Sequence, residues 1–166
     1  MPTAPPIAPK SPHDLPRMDR VGATGAGALA NLHAAVFSPP WRSDDIMPLL
    51  SDPGVLAWVS SYQGAHVGFG VFRTVARDEA EILTLGVLPN FRRLGIARRI
   101  LHHARRELKA RHCERLYLEV DAGNVAAIKL YEGSGFEVVA SRPKYYANID
   151  GCRSDALVMR LFLCSQ

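Results

Sequence analysis

The chain has few of the residues that would place it in a disulfide-stabilised, metal-bound or membrane class. Its 166 residues include three widely spaced cysteines and no Cys-x-x-Cys pair, which argues against a disulfide framework and a structural zinc site. No apolar run reaches the roughly 18 residues of a membrane-spanning helix. The N-terminus lacks a basic segment followed by an apolar one, so no secretory signal is expected. These absences favour a cytoplasmic protein with no metal and no membrane partner.

Aromatic residues are also scarce, at 8% of the chain, and none lies between Arg92 and Arg115. Positive charge is concentrated in that same segment, where nine Lys and Arg against two acids give a local net charge of +7, compared with +4 for the whole chain. Such a patch favours an anionic ligand or an acidic partner surface. Because no aromatic side chain interleaves the cations, base stacking is not expected there. A nucleic-acid-binding module is therefore only the more distant alternative, and no nucleic-acid partner is expected.

Proline is distributed unevenly, and this divides the chain into two parts. Six of the twelve prolines lie within residues 1–16, where they would interrupt any helix or central strand. We therefore expect a disordered proline-rich tail over residues 1–16. The composition, with 48% hydrophobic and 22% charged residues, is that of an ordinary globular protein, so one folded domain is expected over residues 17–166.

Hydrophobic periodicity beyond residue 16 predicts a mixed α/β fold. The strongest signal is a long amphipathic helix whose apolar residues recur every four positions: Ile96, Ile100, Ala104 and Leu108. Thr24 and Ser43 are expected to cap two shorter helices near the N-terminus. The expected order is helix, helix, three strands, long helix, strand, helix and two strands, over residues 24–37, 44–50, 55–62, 66–76, 79–88, 94–110, 115–120, 124–132, 136–140 and 156–162.

The segment from Pro89 to Ala97 links a predicted strand to the long helix and has the features of a phosphate site. The first turn of a helix leaves backbone N–H groups unpaired, and the helix dipole adds positive potential. Gly95 lets a phosphate approach the backbone, and nearby arginines add charge. The segment is neither a P-loop nor a dinucleotide fingerprint, because Gly-Lys-Ser/Thr and Gly-x-Gly-x-x-Gly are missing. It predicts a pyrophosphate cradle, with a plain helix start and a solvated arginine face as the alternative.

The residues Arg92-Arg-Leu-Gly-Ile-Ala97 resemble the R/Q-x-x-G-x-G/A signature of the GNAT superfamily of acetyl-CoA-dependent N-acetyltransferases. Leu118-Glu-Val120, the segment from Asn124 to Tyr131 and Gly135-Phe136 extend the resemblance to the ribosomal-protein-alanine (RimI-type) branch. It covers residues 17–163 and implies a single-domain fold with a central, mostly antiparallel mixed sheet flanked by helices. The turn Asp121-Ala-Gly-Asn124 departs from this branch, which often has a basic residue and a serine there.

The resemblance implies a role for each matching residue, with acetyl-CoA as co-substrate. Glu119 matches the proton acceptor and Tyr131 the proton donor to the leaving thiolate, while Glu81 stays open as an alternative base. Substrate contacts fall on Trp41, Tyr145 and Tyr146. Cofactor contacts fall on the strand before the turn, the turn itself and one later amide: Leu85, Gly86, Val87, Arg93, Leu94, Gly95, Ile96, Ala97, Arg98 and Asn124, with Arg92 as a lesser candidate. A paired carboxylate, a core tyrosine and loop-packing aromatics remain the structural alternatives.

The implied reaction is direct transfer of an acetyl group, in a ternary complex, to the N-terminal α-amino group of a protein. The resemblance points to an alanine-led N-terminus of ribosomal-protein type. An α-amino group has a pKa of about 7.7–8.0, against about 10.4 for lysine, so a weaker catalytic base is enough to deprotonate it. A small-amine or antibiotic acetyltransferase of the same fold is the alternative. A polycationic acceptor calls for several acids, and Asp78, Glu79 and Glu81 form the one cluster before the cradle.

Overall fold

A computed structural model describes residues 16–147 and 153–163. The predicted tail lies outside the described residues apart from Pro16. Four α-helices and seven strands occur within those ranges, with short 3₁₀ turns at Ala23–Gly25 and Pro89–Phe91. In chain order they are β1 (Arg17–Val21), α1 (Ala26–Ala34), α2 (Ser43–Ser51), β2 (Val55–Tyr62), β3 (Ala65–Thr74), β4 (Glu79–Val87), α3 (Ile96–Ala110), β5 (Arg115–Asp121), α4 (Val125–Glu132), β6 (Glu137–Ala147) and β7 (Arg153–Phe162).

The strands form one seven-stranded sheet in the order β1-β2-β3-β4-β5-β7-β6. β1 pairs with β2, β5 with β7 and β6 with β7 in antiparallel fashion, whereas β4 and β5 are parallel. The ladder between β4 and β5 joins Glu79 to Arg115, Ala80 to Leu116 and Glu81 to Tyr117. The expectation of a mixed α/β fold with a mostly antiparallel sheet is confirmed.

Two local expectations near the N-terminus are wrong. Strand β1 was not expected, because three of its five residues are charged and the segment shows no clear alternation. Charged side chains are common on edge strands, where they discourage pairing with other chains. Thr24 and Ser43 do not cap helices, because Gly25 and Arg42 occupy the N-cap positions without a side-chain cap hydrogen bond. Thr24 lies instead in a 3₁₀ turn.

One compact unit consists of the chain up to Phe72 together with Thr84–Ala104. Its core includes the fully buried side chains of Phe69, Phe72 and Ile100. Helix α3 lies directly against β3, since a Cβ atom on Gly70 would lie 2.7 Å from Cγ2 of Ile100. A Cβ atom on Gly68 would lie 2.9 Å from Cγ2 of Ile96. The two glycines therefore fix how closely α3 approaches the sheet.

The second unit consists of Arg73–Leu83 and the chain from Arg105 onward. Its strands β5 and β7 pair over seven residues, and β5 buries Leu116, Leu118 and Val120. Arg115 anchors the start of β5 by ion pairs with Asp78 and, at 3.3 Å, with Glu79. The hydrogen bond from the Arg115 guanidinium lowers the pKa of the Asp78 carboxyl, and the same bond raises the pKa of Arg115. Both groups are therefore held in their charged forms.

We expect Gly70→Ala to destabilise the protein by about 1–3 kcal/mol, because the added methyl group overpacks the contact between β3 and α3. Gly27→Ala is the matched control, since a Cβ atom at this position in α1 meets nothing within 4 Å. The control should be neutral or stabilising by up to about 1 kcal/mol, because alanine favours helix more than glycine does. Urea unfolding measures both free energies. Equal stability of the two variants would contradict the close approach of α3.

Candidate active site

The exposed turn between β4 and α3 begins directly after a residue that is buried in the core. Phe91 ends the short 3₁₀ turn, is buried and packs against the ring of Tyr62, with ring centroids 6.0 Å apart. The next four residues, Arg92 to Gly95, are all exposed. The backbone at Arg93 and Gly95 is left-handed, with φ of 63° and 76°. The turn therefore brings a short exposed stretch of backbone to the first residue of α3.

The start of α3 presents backbone N–H donors beside an open surface. The N–H of Arg99 donates to the carbonyl of Gly95 over 3.0 Å, which is the first hydrogen bond of the helix. The N–H groups of Ile96, Ala97 and Arg98 precede this bond and have no partner within the helix. A Cβ atom at Gly95 would meet nothing within 4 Å, so the protein leaves this space open. Together with the helix dipole, this geometry suits an anion such as a phosphate.

The arginines around the turn differ in what they contact. Nε of Arg92 donates to the backbone carbonyl of Val87 over 3.1 Å, which ties this side chain to the end of β4. Arg93 and Arg98 are exposed on the turn and on the first helical turn. These two are therefore the better cationic partners for an anion, and Arg92 acts first as a brace for the turn.

The β4 segment before the turn, Leu85 to Val87, packs closely on aromatic side chains of the same unit. A Cβ atom at Gly86 would lie 2.8 Å from the ring of Phe69 and 3.1 Å from the ring of Phe37. Glycine at position 86 is thus required by packing, whatever else the segment binds. The sequence motif contained this glycine but gave no sign of its aromatic neighbours.

Glu119 lies on β5, opposite Val158 of β7, and is not a free carboxylate. Its Oε1 atom is 3.0 Å from Nη1 of Arg142, which lies on β6. The alternative base, Glu81, is also paired, through Nε of Arg73 at 2.9 Å and through the Nη2 atom of the same arginine. Sequence reasoning missed Arg142, because only the strand order β5-β7-β6 brings it near Glu119.

Asn124 and Tyr131 lie at the two ends of α4, and each has a structural contact. Oδ1 of Asn124 accepts a hydrogen bond from the N–H of Ala127 over 3.1 Å and so caps the helix. Tyr131 is only 8% exposed and packs edge-to-face on Phe136, with ring centroids 5.5 Å apart. The N–H of Phe136 returns to the carbonyl of Tyr131, which holds the two rings together. Capping by Asn124 leaves its amide NH₂ group available as a donor.

The predicted substrate aromatics are described to different degrees. Trp41 is half-buried in the loop over residues 37–41, and its backbone N–H donates to Nδ1 of His33 over 3.1 Å. Tyr145 and Tyr146 lie near the end of β6, where Tyr146 is paired with Ser154 of β7. The side chains of these two tyrosines lie outside the described residues. Their role in the substrate groove stays a prediction.

The described part of the chain contains neither a cluster of metal-binding residues nor a reactive thiol. Across residues 16–147 and 153–163, no group of three His, Cys, Asp or Glu residues is arranged to hold a metal ion. Cys113 is buried, and burial raises the pKa of its thiol, which makes it a poor nucleophile. None of the helices in the same ranges is long and apolar enough to cross a membrane.

Comparison with known proteins assigns the family. The model of the acetyltransferase (GNAT) family matches residues 27–136, a range that includes the β4–α3 turn, Glu119 and Tyr131. The chain belongs to the GNAT acetyltransferase family. The resemblance drawn from the sequence motif is thereby confirmed at the level of the family.

Individual GNAT relatives are similar over most of the chain. The [ribosomal protein bS18]-alanine N-acetyltransferase of Escherichia coli is 41% identical over 98 residues, which span 59% of this chain and 65% of that enzyme. The same-named Haemophilus ducreyi enzyme is 37% identical, with 81% of this chain and 92% of its own length covered. The crystal structure of the Escherichia coli ribosomal-protein-S18-alanine N-acetyltransferase superposes with a TM-score of 0.82 at 30% identity, over 90% of this chain and 95% of that one. The Salmonella typhimurium protein yncA, solved with its cofactor acetyl-CoA, has the same fold at 20% identity, with a TM-score of 0.79, over 91% of this chain and 95% of that one.

Two substitutions of Asn124 measure how much its helix cap contributes to stability. We expect Asn124→Ala to lower the free energy of unfolding by about 1 kcal/mol, because the N–H of Ala127 loses its acceptor. Asn124→Asp should keep that stability, because its carboxylate accepts the same hydrogen bond and favours the helix N-terminus. Urea unfolding of both variants provides the measurement. An alanine variant as stable as the aspartate variant would show that the cap contributes little.

Proposed function

We propose that the protein transfers the acetyl group of acetyl-CoA to the N-terminal α-amino group of a protein, with an alanine-led N-terminus of ribosomal-protein type as its substrate. The observation that carries the proposal is the open turn at Gly95, followed by N–H donors that have no partner within the helix. Membership of the GNAT family and the names of the Escherichia coli and Haemophilus ducreyi relatives support the acyl donor and the acceptor class.

The β4–α3 turn supplies what the pyrophosphate of coenzyme A requires. The N–H groups of Ile96, Ala97 and Arg98 point out of the helix start, as they do in other phosphate sites. The exposed side chains of Arg93 and Arg98 add positive charge without needing burial. Leu94 and Gly95 complete the exposed backbone of the cradle, and Leu85 to Val87 on β4 are assigned to the pantetheine arm. The NH₂ group of Asn124, free of the helix cap, is assigned to the amide-rich part of that arm.

The reaction needs a neutral amine and a protonated leaving group. The amine nitrogen attacks the thioester carbonyl, forming an N–C bond as the C–S bond breaks. Glu119 accepts the proton that the amine loses, through a water molecule, and Tyr131 donates a proton to the departing sulfur. At pH 7 roughly nine in ten α-amino groups are protonated, so most acceptor amines must lose a proton before they can attack. No covalent enzyme intermediate is needed, in keeping with the buried thiol of Cys113.

The acidic cluster that would favour a polycationic acceptor is already paired within the protein, where its three carboxylates contact two arginines. Asp78 and Glu79 both pair with Arg115, and Glu81 pairs with Arg73. These carboxylates therefore offer little attraction to an aminoglycoside or a similar amine. A protein N-terminus brings one cationic amine and needs no such cluster, so the pairing favours the peptide acceptor.

An acetylation assay on short peptides tests the reaction and its base. Peptides that begin with Ala, Ser or Met should be acetylated at the α-amino group, with the Ala-led peptide preferred, as mass spectrometry would show. Glu119→Gln and Tyr131→Phe should each lower kcat by about 100-fold or more, because each removes a proton-transfer group. Glu81→Gln is the matched control and should retain most of the activity. Loss of activity in Glu81→Gln and not in Glu119→Gln would move the base to Glu81, and no acetylated peptide at all would reject the proposed function.

A pair of glycine variants tests the cradle. Gly95→Ala places a methyl group on the open surface and strains a left-handed backbone, so acetyl-CoA should bind at least about tenfold more weakly by calorimetry. Gly64→Ala in the β2–β3 turn is the control, because φ is +79° at Gly64 and the space around it is equally open. Each variant should lose about 1–2 kcal/mol of stability from the strained backbone. Equal acetyl-CoA affinity in the two variants would exclude the turn as the phosphate site.

A further inference from the structure

His33 holds both ends of the loop over residues 37–41. It lies in the last turn of α1 and is 4% exposed. Its backbone carbonyl accepts hydrogen bonds from the N–H groups of Val36 at 3.1 Å and Phe37 at 2.8 Å, which fixes where the helix ends and the loop begins. At the far end of the loop, its ring atom Nδ1 accepts the backbone N–H of Trp41 over 3.1 Å.

The His33 ring also packs against three aromatic side chains. It stacks on Trp41 with ring centroids 4.9 Å apart and an interplanar angle of 14°. The rings of Phe37 and Phe69 lie at 4.8 and 5.7 Å from it and are tilted. The direction of the hydrogen bond identifies the tautomer, because an Nδ1 atom that accepts an N–H must be unprotonated. The ring is therefore neutral in the folded protein.

The same aromatic cluster reaches the β4 segment assigned to the pantetheine arm. The ring of Phe37 approaches Gly86 so closely that a Cβ atom there would lie 3.1 Å from it. Phe69 contacts the same glycine and packs edge-to-face against Phe37. The position of the loop is thus defined on one side by His33 and on the other by β4.

We propose that His33 is a positioning residue for the acceptor peptide: its neutral ring holds the Trp41 backbone in place, so that the Trp41 side chain forms part of the peptide site. This inference rests on the proposed function, which assigns Trp41 to the substrate. His33 itself touches no reacting atom. It acts by removing the conformational freedom of a loop that the peptide would otherwise have to order on binding.

Protonation of His33 would break this arrangement. A doubly protonated ring has two N–H donors and cannot accept the N–H of Trp41. Burial lowers the pKa of His33 from its ordinary value of 6.5, so the ring stays neutral near pH 7. The unfolded chain takes up the proton first, so stability from this site is complete above about pH 6.5 and falls as the pH drops towards the folded pKa.

Few charged groups lie on the elements that pack against the ring. The rings in contact belong to Phe37, Trp41 and Phe69 and do not titrate in this range. Helix α1 carries no charged residue and no titratable residue other than His33. The loop leads into the exposed Arg42. On β3, His66 contacts the hydroxyl of Ser61 and Arg73 pairs with Glu81. The titratable group in direct contact with the Trp41 N–H is therefore His33 itself.

Two substitutions separate the hydrogen bond from the ring. His33→Asn keeps an oxygen acceptor close to the place of Nδ1 and does not titrate, whereas His33→Phe keeps a ring and has no acceptor. With an Ala-led peptide, His33→Phe should raise the peptide KM about tenfold or more, because the N–H of the half-buried Trp41 loses its acceptor and the loop loses its fixed position. Its kcat and its Kd for acetyl-CoA should change less than about twofold. His33→Asn should restore the peptide KM to within about threefold of the parent.

The pH profile distinguishes positioning from a purely structural role. Protonation of the peptide amine affects every variant equally, so it cancels in the ratio of kcat/KM between the parent and His33→Asn. That ratio should fall as the pH is lowered from 7.5 to 5.5. A flat ratio, or an unchanged peptide KM in His33→Phe, would overturn the proposal. The proposal would also be overturned if His33→Phe raised the Kd for acetyl-CoA by the same factor as the peptide KM.

A fluorescence titration tests the same contact without any catalysis. The chain has two tryptophans, so a Trp58→Phe background leaves Trp41 as the sole reporter. Its emission should change between pH 7 and pH 5 in the parent and stay constant in His33→Asn. If the Trp41 emission of the parent also stayed constant over this pH range, the proposal would be overturned. This test does not depend on whether His33→Phe folds. If the protein acetylates no peptide, the proposed function fails, and the role of His33 in peptide binding falls with it.

Discussion

The first turn of α3 has backbone N–H groups that the helix itself cannot pair, and the surrounding structure fixes their position. Phe91 is buried just before the exposed turn, and Arg92 ties the turn back to the carbonyl of Val87. Ile96 and Ile100 on α3 press against glycines of β3 at distances that leave no room for a Cβ atom. The donors are therefore held rigidly at an open surface, and binding an anion there requires little reorganisation of the protein.

In the second unit, each of the three residues proposed for the site has a structural contact. Asn124 caps α4, Tyr131 packs on Phe136, and Glu119 pairs with Arg142. Such contacts restrict rotamers before any ligand arrives, which is the property that accurate catalytic geometry demands. They also mean that a variant at any of the three residues changes structure as well as chemistry. Conservative replacements that keep the contact are therefore more informative than alanine.

Local sequence signals predicted the parts of the fold that depend on local physics. The four-residue spacing of Ile96, Ile100, Ala104 and Leu108 gave α3 to within two residues of its observed start, and Gly95 marked a turn with positive φ. Strand β1 was not predicted, because its charged residues give no sign that it pairs with β2, which lies about 40 residues further along the chain. Arg142 and His33 were not predicted either, because their contacts depend on strand order and on aromatic packing. Sequence periodicity carries no information on such contacts.

Hydrogen–deuterium exchange with and without acetyl-CoA tests most directly whether the β4–α3 turn binds the coenzyme. Saturating acetyl-CoA should slow amide exchange most strongly over residues 93–98, because bound phosphate oxygens accept hydrogen bonds from those N–H groups. Free coenzyme A should give the same protection, since it carries the same pyrophosphate. Protection confined to other segments, with exchange at 93–98 unchanged, would show that the β4–α3 turn does not bind the coenzyme.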